Sequence, residues 1–168
     1  MTTIRQVRSQ EILDSRGRPT LLTTCELESG LHASASVPSG ASTGAAEALE
    51  LRDGDPKRYR GLGCRTAVAN VNGPLNDLLA GRDWATQRAV DEAMLELDGT
   101  PNKSGLGANA LLSVSLAFAR AQAAESGISL YRHFAEVLEP GSEPVHLPRP
   151  TVNLFSGGKH AGGQMPIQ

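Results

Sequence analysis

The sequence has no marked excess of charge of either sign, since 16 lysines and arginines stand against 18 aspartates and glutamates in 168 residues. A dedicated nucleic-acid module or a polybasic membrane module would show a clustered basic surplus, so we expect neither kind of partner. No apolar run approaches the roughly 18 residues of a membrane span, and the N-terminus lacks the apolar core of a signal peptide. We therefore expect a soluble, cytoplasmic protein.

Cysteine is scarce as well. Cys25 and Cys64 lie far apart, without the spacing of a metal site, and we predict two reduced, structural thiols. The length allows one domain with a sizeable core, but a complete (β/α)8 barrel needs roughly 200 residues or more and is excluded. Internal repeats and low-complexity segments are also missing.

The first third of the chain has the character of β-structure. Three short runs of mixed apolar and polar residues, at 4–13, 20–27 and 31–37, are separated by turn sequences rich in glycine, serine and aspartate. This spacing predicts a three-stranded antiparallel meander.

From about residue 64 the apolar residues recur at helical spacing. We predict helices over 68–79, 89–97, 107–126 and 129–138, with Asp83 as the N-cap of the second and Gly99 just past its end. The third is rich in alanine and poor in charge, so it should be largely buried. A meander followed by a helical bundle is an α+β fold.

Proline is concentrated near the end, because five of the ten prolines lie in the last 29 residues. Such a density breaks helices. We therefore predict a boundary near residue 139, with one unit at 1–139 and a different one at 140–168.

Two loops carry candidate chemistry. Residues 36–44 are small and rich in hydroxyls, which suits a phosphate cradle or a metal shell, although a flexible connection has the same composition. It is not a Walker loop, since no Gly-Lys-Ser/Thr follows. In the second loop Lys159 and His160 lie among four glycines, and histidine suits proton transfer near neutral pH. The alternative is a glycine-rich hairpin with an exposed histidine.

Other titratable residues give weaker signals. Glu47 and Glu50 would share one face if their segment is helical, and Asp53 and Asp55 follow closely. We interpret these carboxylates as a solvated acidic face with nearby arginines and a lysine as counter-charges. We interpret the remaining histidines as structural or surface residues: His32, His133 and His146.

Taken together, the motifs resemble those of the enolase family and occur in that family's order across essentially the whole chain. They are Asp14-Ser15-Arg16-Gly17, Val37-Pro38-Ser39-Gly40-Ala41-Ser42-Thr43-Gly44, Glu47-Ala48-Leu49-Glu50-Leu51-Arg52-Asp53-Gly54-Asp55, Leu97-Asp98-Gly99-Thr100, Asn102-Lys103-Ser104, Gly107-Ala108-Asn109-Ala110, Ser113-Val114-Ser115-Leu116-Ala117, Leu130-Tyr131, and Gly157-Gly158 with His160-Ala161-Gly162.

The resemblance implies an enolase-like N-terminal capping domain over 1–139. Residues 140–168 would then be the linker, first strand and active-site loop of a truncated TIM-type barrel. It also implies a lyase of glycolysis, phosphopyruvate hydratase, which dehydrates 2-phosphoglycerate to phosphoenolpyruvate. In the family two Mg²⁺ ions bind the substrate carboxylate, a lysine removes the α-proton, and an acidic residue assists loss of the hydroxyl.

Carried over by residue, the resemblance implies that Ser42 binds the second Mg²⁺ and that Ala41 approaches the substrate through its backbone. It also implies that His160 reaches the substrate and that Gln168 lies beside it. The family's lysine base, carboxylate ligands and phosphate-binding arginine would lie beyond Gln168. We therefore expect this chain alone to be inactive and the full-length protein to be the enzyme.

Departures from the family's pattern leave alternatives open. Ser156 and Lys159 differ from the usual residues near His160, which favours a superfamily paralogue acting on another hydroxy acid. Gln10 and Leu22 stand where many enolases place an arginine and a glutamate that link subunits, although a homo-oligomer is still expected of the full-length protein. A non-catalytic binding protein made of the capping domain is the third interpretation.

Overall fold

The computed structural model describes residues 1–40, 44–155, 157 and 162. The chain begins with three antiparallel strands: β1, Thr2–Leu13, β2, Pro19–Leu27, and β3, His32–Ser36. β1 pairs with β2, and β2 pairs with β3. The predicted meander is confirmed.

A fourth strand joins the sheet on the other side of β1. β4, Arg82–Trp84, pairs antiparallel with residues 2–4, which gives the strand order β3-β2-β1-β4. The prediction of a three-stranded sheet was therefore wrong, because the sheet has a fourth strand, β4. Three residues, two of them charged, give no alternating pattern, and only the neighbouring edge of β1 makes them a strand.

One face of the sheet is buried. In β2 the side chains of Leu21, Thr23, Cys25 and Leu27 are buried in strict alternation. In β1 the register shifts between Ile4 and Gln6, a β-bulge that moves the buried positions by one residue.

The helices follow in the predicted order. Their bounds are α1, Arg65–Asn70, a π-helical turn, Val71–Leu75, α2, Asn76–Leu79, α3, Gln87–Asp98, α4, Ala108–Glu125, and α5, Leu130–Leu138, with a short 3-10 turn at Tyr59–Gly61. The predicted helix over 68–79 is therefore interrupted by a wider turn that contains Pro74. The interruption fits the missing N–H of proline.

The capping of α3 differs from the prediction at one end. Thr86, not Asp83, is the N-cap, and its hydroxyl accepts a hydrogen bond of 3.1 Å from the amide of Ala89. Asp83 lies in β4, where its carboxylate accepts a hydrogen bond from Thr3. Gly99 ends the helix as predicted, in a left-handed conformation with φ 67°.

The alanine-rich α4 is the centre of the core and packs against β2 and β3. Its buried side chains include Val114, Ala117, Phe118 and Ala121, so the prediction of a largely buried helix is confirmed. Alanine and serine on this helix allow close approach to the strands, and the hydroxyl of Ser113 lies 2.7 Å from that of Thr23 in β2.

The edge of β1 beyond β4 is covered by side chains. Asn76 accepts a hydrogen bond of 2.9 Å from the amide of Val7, and Asn72 both accepts from and donates to the backbone of Ser9. These amides satisfy backbone groups that would otherwise stay open for pairing with another chain.

Both cysteines are buried and free, as predicted. Burial raises the pKa of the Cys25 thiol to about 12 and that of Cys64 to about 11. Neither thiol is therefore activated as a nucleophile.

Residues 140–155 contain no helix or strand in the described part of the chain. The expected start of a TIM-type barrel is thus not formed there, although the prediction placed its first strand in this tail. Apolar side chains of the tail stay exposed, as Leu147 shows with 94% exposure, because a barrel strand forms only beside neighbouring strands. The boundary near 139 stays a prediction. No described helix is long and apolar enough to cross a membrane.

His133 is buried on α5 next to Phe134, with a ring-centroid distance of 5.8 Å. Among the described residues its Nε2 has no hydrogen-bond partner. Burial lowers the pKa of His133 below the ordinary value of 6.5. The residue is therefore structural, as predicted.

This burial makes stability depend on pH. Because the pKa of His133 is lowered on folding, the unfolded chain takes up the proton first as the pH falls below 6.5. The stability that the neutral, buried His133 provides is fully present above pH 6.5, and it is lost as the pH falls through the lowered pKa of the folded state. Urea unfolding of the wild type and His133→Gln should show a wild type that loses more stability than the variant towards acid. Identical slopes of unfolding free energy against pH would contradict this.

Gly107 precedes α4 with φ 97°, and a Cβ there would lie 2.6 Å from the Cβ of Leu51. Gly127 also has a positive φ, 64°, but open space around it. Because Gly107→Ala adds crowding to backbone strain, it should cost about 3 kcal/mol of unfolding free energy, against about 1 kcal/mol for Gly127→Ala. Chemical denaturation measures both, and equal losses would contradict the crowding.

Candidate functional site

The candidate site lies at the loop that leaves β3. Of the residues assigned to it from sequence, Ala41 and Ser42 lie outside the described residues, and so do His160 and Gln168. Their roles stay predictions. The structure does describe both ends of the first loop, residues 37–40 and Gly44, which we call the loop root.

The loop root begins alongside β2. The hydroxyl of Thr20 donates a hydrogen bond of 2.6 Å to the carbonyl oxygen of Val37, whose amide donates to Leu21 at 3.2 Å. Both Thr20 and Val37 are buried. The chain therefore enters the loop from a rigid position on the sheet.

The turn between β1 and β2 contacts a further residue of the loop root, Ser39. Asp14 accepts hydrogen bonds from the amides of Arg16 and Arg18, both at 2.8 Å. These bonds, the one from Arg18 foremost, lower the pKa of Asp14. The side chain of Arg16, which also contacts Asp14, donates to the carbonyl oxygen of Ser39 at 2.6 Å.

The hydroxyl of Ser39 lies between two charged side chains. It donates to Glu50 at 3.1 Å and accepts from Arg52 at 3.1 Å. Glu50 and Arg52 are themselves paired at 2.6 Å, so the three side chains form a closed ring of charge-assisted bonds. We call Arg16, Ser39, Glu50 and Arg52 the Ser39 clamp.

Arg52 also joins the clamp to the rest of the domain. Its guanidinium donates to the carbonyl oxygens of Pro19, at 2.7 Å, and Leu62, at 2.6 Å, and lies 3.0 Å from the sulfur of Cys64. One side chain thus links the start of β2, the loop root and the segment before α1.

The segment that carries Glu50 and Arg52 is held by the start of α4. The buried side-chain amide of Asn109 accepts from the amide of Leu51 at 3.1 Å and donates to its carbonyl oxygen at 3.0 Å. Leu49 is held by backbone bonds instead: its amide donates to the carbonyl oxygen of Asn102 at 2.7 Å, and its carbonyl oxygen accepts from the amide of Ala108 at 2.8 Å.

This geometry corrects part of the interpretation of the carboxylates: Glu47 and Asp55 are exposed as expected, but Glu50 and Asp53 are not parts of a solvated face. Glu47 and Glu50 do not share a helical face, because residues 44–55 form no helix. Asp53 is not solvated either. Partial burial raises the pKa of Asp53, but the hydrogen bonds from the amides of Thr66 and Arg65 and the charge of Arg58 lower it overall. Nearby arginines do act as the predicted counter-charges.

A cleft of about 410 Å³ borders the loop root, with Arg18, Ser39, Glu47, Arg52 and Asn102 among its lining residues. Across the described ranges, no group of three or more histidine, cysteine, aspartate or glutamate side chains is placed to hold a metal ion. A serine hydroxyl suits Mg²⁺ as a hard oxygen donor.

A family model described as "Enolase, N-terminal domain" matches residues 4–134, which is most of the chain. The chain belongs to the enolase N-terminal domain family. This match supports the relationship to the enolase superfamily that the motifs suggest. The four-stranded antiparallel sheet with its helices is an α+β fold, as predicted.

Within this enolase N-terminal domain, sequence reasoning missed the clamp. It interpreted Glu50 and Arg52 as parts of a solvated face, although their side chains are only 35% and 17% exposed. The available signal was the Asp-Ser-Arg-Gly turn at 14–17, whose arginine reaches the loop root. The positions expected at a subunit contact, Gln10 and Leu22, are directly opposite each other on β1 and β2.

Arg52 should contribute strongly to the stability of the domain. Arg52→Gln leaves two carbonyl oxygens and the carboxylate of Glu50 without their donor, so we expect a loss of about 2–3 kcal/mol of unfolding free energy. The matched control is Arg5→Gln, which removes an exposed ion pair with Glu26 and should change stability by about 0.5 kcal/mol or less. Similar losses in the two variants, measured by denaturant unfolding, would contradict the role of Arg52.

Proposed function

We propose that the full-length protein is an enolase, which dehydrates 2-phosphoglycerate to phosphoenolpyruvate with Mg²⁺ in the cytoplasm. The observation that carries this proposal is the match of the enolase N-terminal domain to residues 4–134, together with the intact loop motif at 37–44. The anchored loop root supports it, because a loop that binds substrate benefits from fixed ends.

In this proposal the chain binds and encloses the substrate. The hydroxyl of Ser42 serves as a Mg²⁺ ligand, the backbone of Ala41 approaches the substrate, and His160 and Gln168 contact it from the second loop. When bound, Mg²⁺ neutralises the substrate carboxylate and stabilises the charge that develops as the α-proton leaves. The proton-abstracting base is not assigned to any residue of this chain.

One alternative has an observation in its favour. Ser156 and Lys159, close to His160 in the sequence, depart from the enolase pattern, and such substitutions beside a substrate-contacting residue would suit a change of substrate. A superfamily paralogue that acts on another hydroxy acid is therefore the second candidate. We propose a homo-oligomer in either case.

The proposal is tested by assaying the full-length protein for dehydration of 2-phosphoglycerate, with and without Mg²⁺. We expect Mg²⁺-dependent activity. Ser42→Ala and His160→Ala should each lower kcat/KM by about 10²-fold, because each misplaces or removes a group at the reacting substrate. Matched controls are Ser29→Ala and His146→Ala at exposed positions, which should leave activity unchanged.

Other outcomes separate the candidates. Full activity in the double variant of Ser42 and His160 would refute the assigned roles. A strong preference for a non-phosphorylated hydroxy acid would identify the paralogue. A full-length protein without activity on either kind of acid would support a non-catalytic binding role.

A further inference from the structure

We infer that Ser39 is a positioning residue, whose hydroxyl fixes the start of the loop that carries Ser42 and so prepares that loop to bind substrate. The inference rests on the proposed function for its kinetic consequence. Its structural part depends only on contacts of the described residues.

Ser39 is fixed at both its side chain and its backbone. The hydroxyl has one donor, Arg52, and one acceptor, Glu50, while the carbonyl oxygen accepts from Arg16. A hydroxyl with both kinds of partner has its rotor defined, and three bonds to charged groups are stronger than neutral ones. The backbone at Ser39 therefore has little freedom to turn.

The groups that hold Ser39 are rigid themselves. Arg52 is tied to Pro19 and Leu62, and Arg16 is oriented by Asp14 in the tight turn between β1 and β2. The clamp thus fixes the position of the loop root relative to the sheet. Only Gly40 and Ala41 separate Ser39 from Ser42 in the sequence.

A fixed start reduces the conformational entropy that the loop loses when it orders around a ligand. Without the hydroxyl, the backbone at Ser39 and Gly40 would sample more states before binding. The effect should therefore appear as weaker binding of Mg²⁺ and substrate, with a smaller change in the step that follows.

A substitution at Ser39 distinguishes positioning of the loop from a general loss of folding stability better than a substitution at Arg52 does. Ser39→Ala removes the hydroxyl but leaves Arg52 bonded to Pro19, Leu62 and Glu50. Ser39→Thr retains a hydroxyl at the same place and serves as the conservative rescue. Arg58→Gln is the stability control, because Arg58 pairs with Glu11 and Asp53 and has no contact with the clamp.

The test measures hydrogen–deuterium exchange of residues 36–40 in the full-length protein, which include the amide of Val37 bonded to Leu21. It also measures kcat and KM for 2-phosphoglycerate at limiting Mg²⁺. Ser39→Ala should speed exchange in this segment about tenfold and lower kcat/KM about tenfold, mainly through KM, as expected for loss of the two charge-assisted hydrogen bonds of the hydroxyl, partly replaced by water. Ser39→Thr should restore both values. Arg58→Gln should change neither, although it lowers the unfolding temperature.

Exchange at wild-type rate in Ser39→Ala would overturn the inference, and so would equal acceleration in Arg58→Gln. If the wild type does not dehydrate 2-phosphoglycerate, the proposed function fails, while the exchange comparison still decides whether Ser39 positions the loop. If Ser39→Ala does not fold, Glu50→Gln removes the carboxylate charge that accepts from the hydroxyl. Glu50→Gln should speed hydrogen–deuterium exchange in the same segment, and unchanged exchange there would also overturn the inference.

Discussion

The burial of α4 against the sheet is the constraint on which the rest of this domain depends. A helix rich in alanine and serine can approach β2 and β3 closely, and Phe118 and Val114 fill the space between them. Because the helix is fixed, so is its first turn. That turn presents Asn109 to the backbone of Leu51, and the segment of Glu50 and Arg52 takes its place from this contact.

Arg52 carries the constraint from the core to the loop. Its guanidinium has five donors in a planar fork, and the structure uses them on acceptors from several segments of the chain. A lysine would have a single point of charge and would not connect these groups in the same geometry. The loop root is thereby held by the sheet on one side and by α4 on the other, without any strand or helix of its own.

This arrangement relates the domain to the proposed reaction. In the proposed reaction the loop of Ser42 is what this domain would contribute, and the described residues at the loop root would support that loop. Among the described carboxylates in this region, those of Glu11, Glu50 and Asp53 are engaged with arginines or backbone amides, whereas Glu47 is exposed.

Local patterns in the sequence determined the elements. The alternation in β2, the helical spacing in α3 and α4 and the glycine after α3 each act within a few residues, so they can be recognised without the fold. The motif order also gave the family, since spacing is a property of the chain alone.

Only the tertiary structure decided which residues meet across long separations. β4 became a strand because β1 offered an open edge. Thr86 caps α3, while Asp83 is bonded to Thr3 within the sheet. Residues 140–155 form no strand. The Ser39 clamp joins residues 16, 39, 50 and 52. From the sequence alone, Glu50 and Arg52 are interpreted as parts of a solvated face. Their partners are set by the packing of α4 on the sheet, and packing over such distances has no local signature.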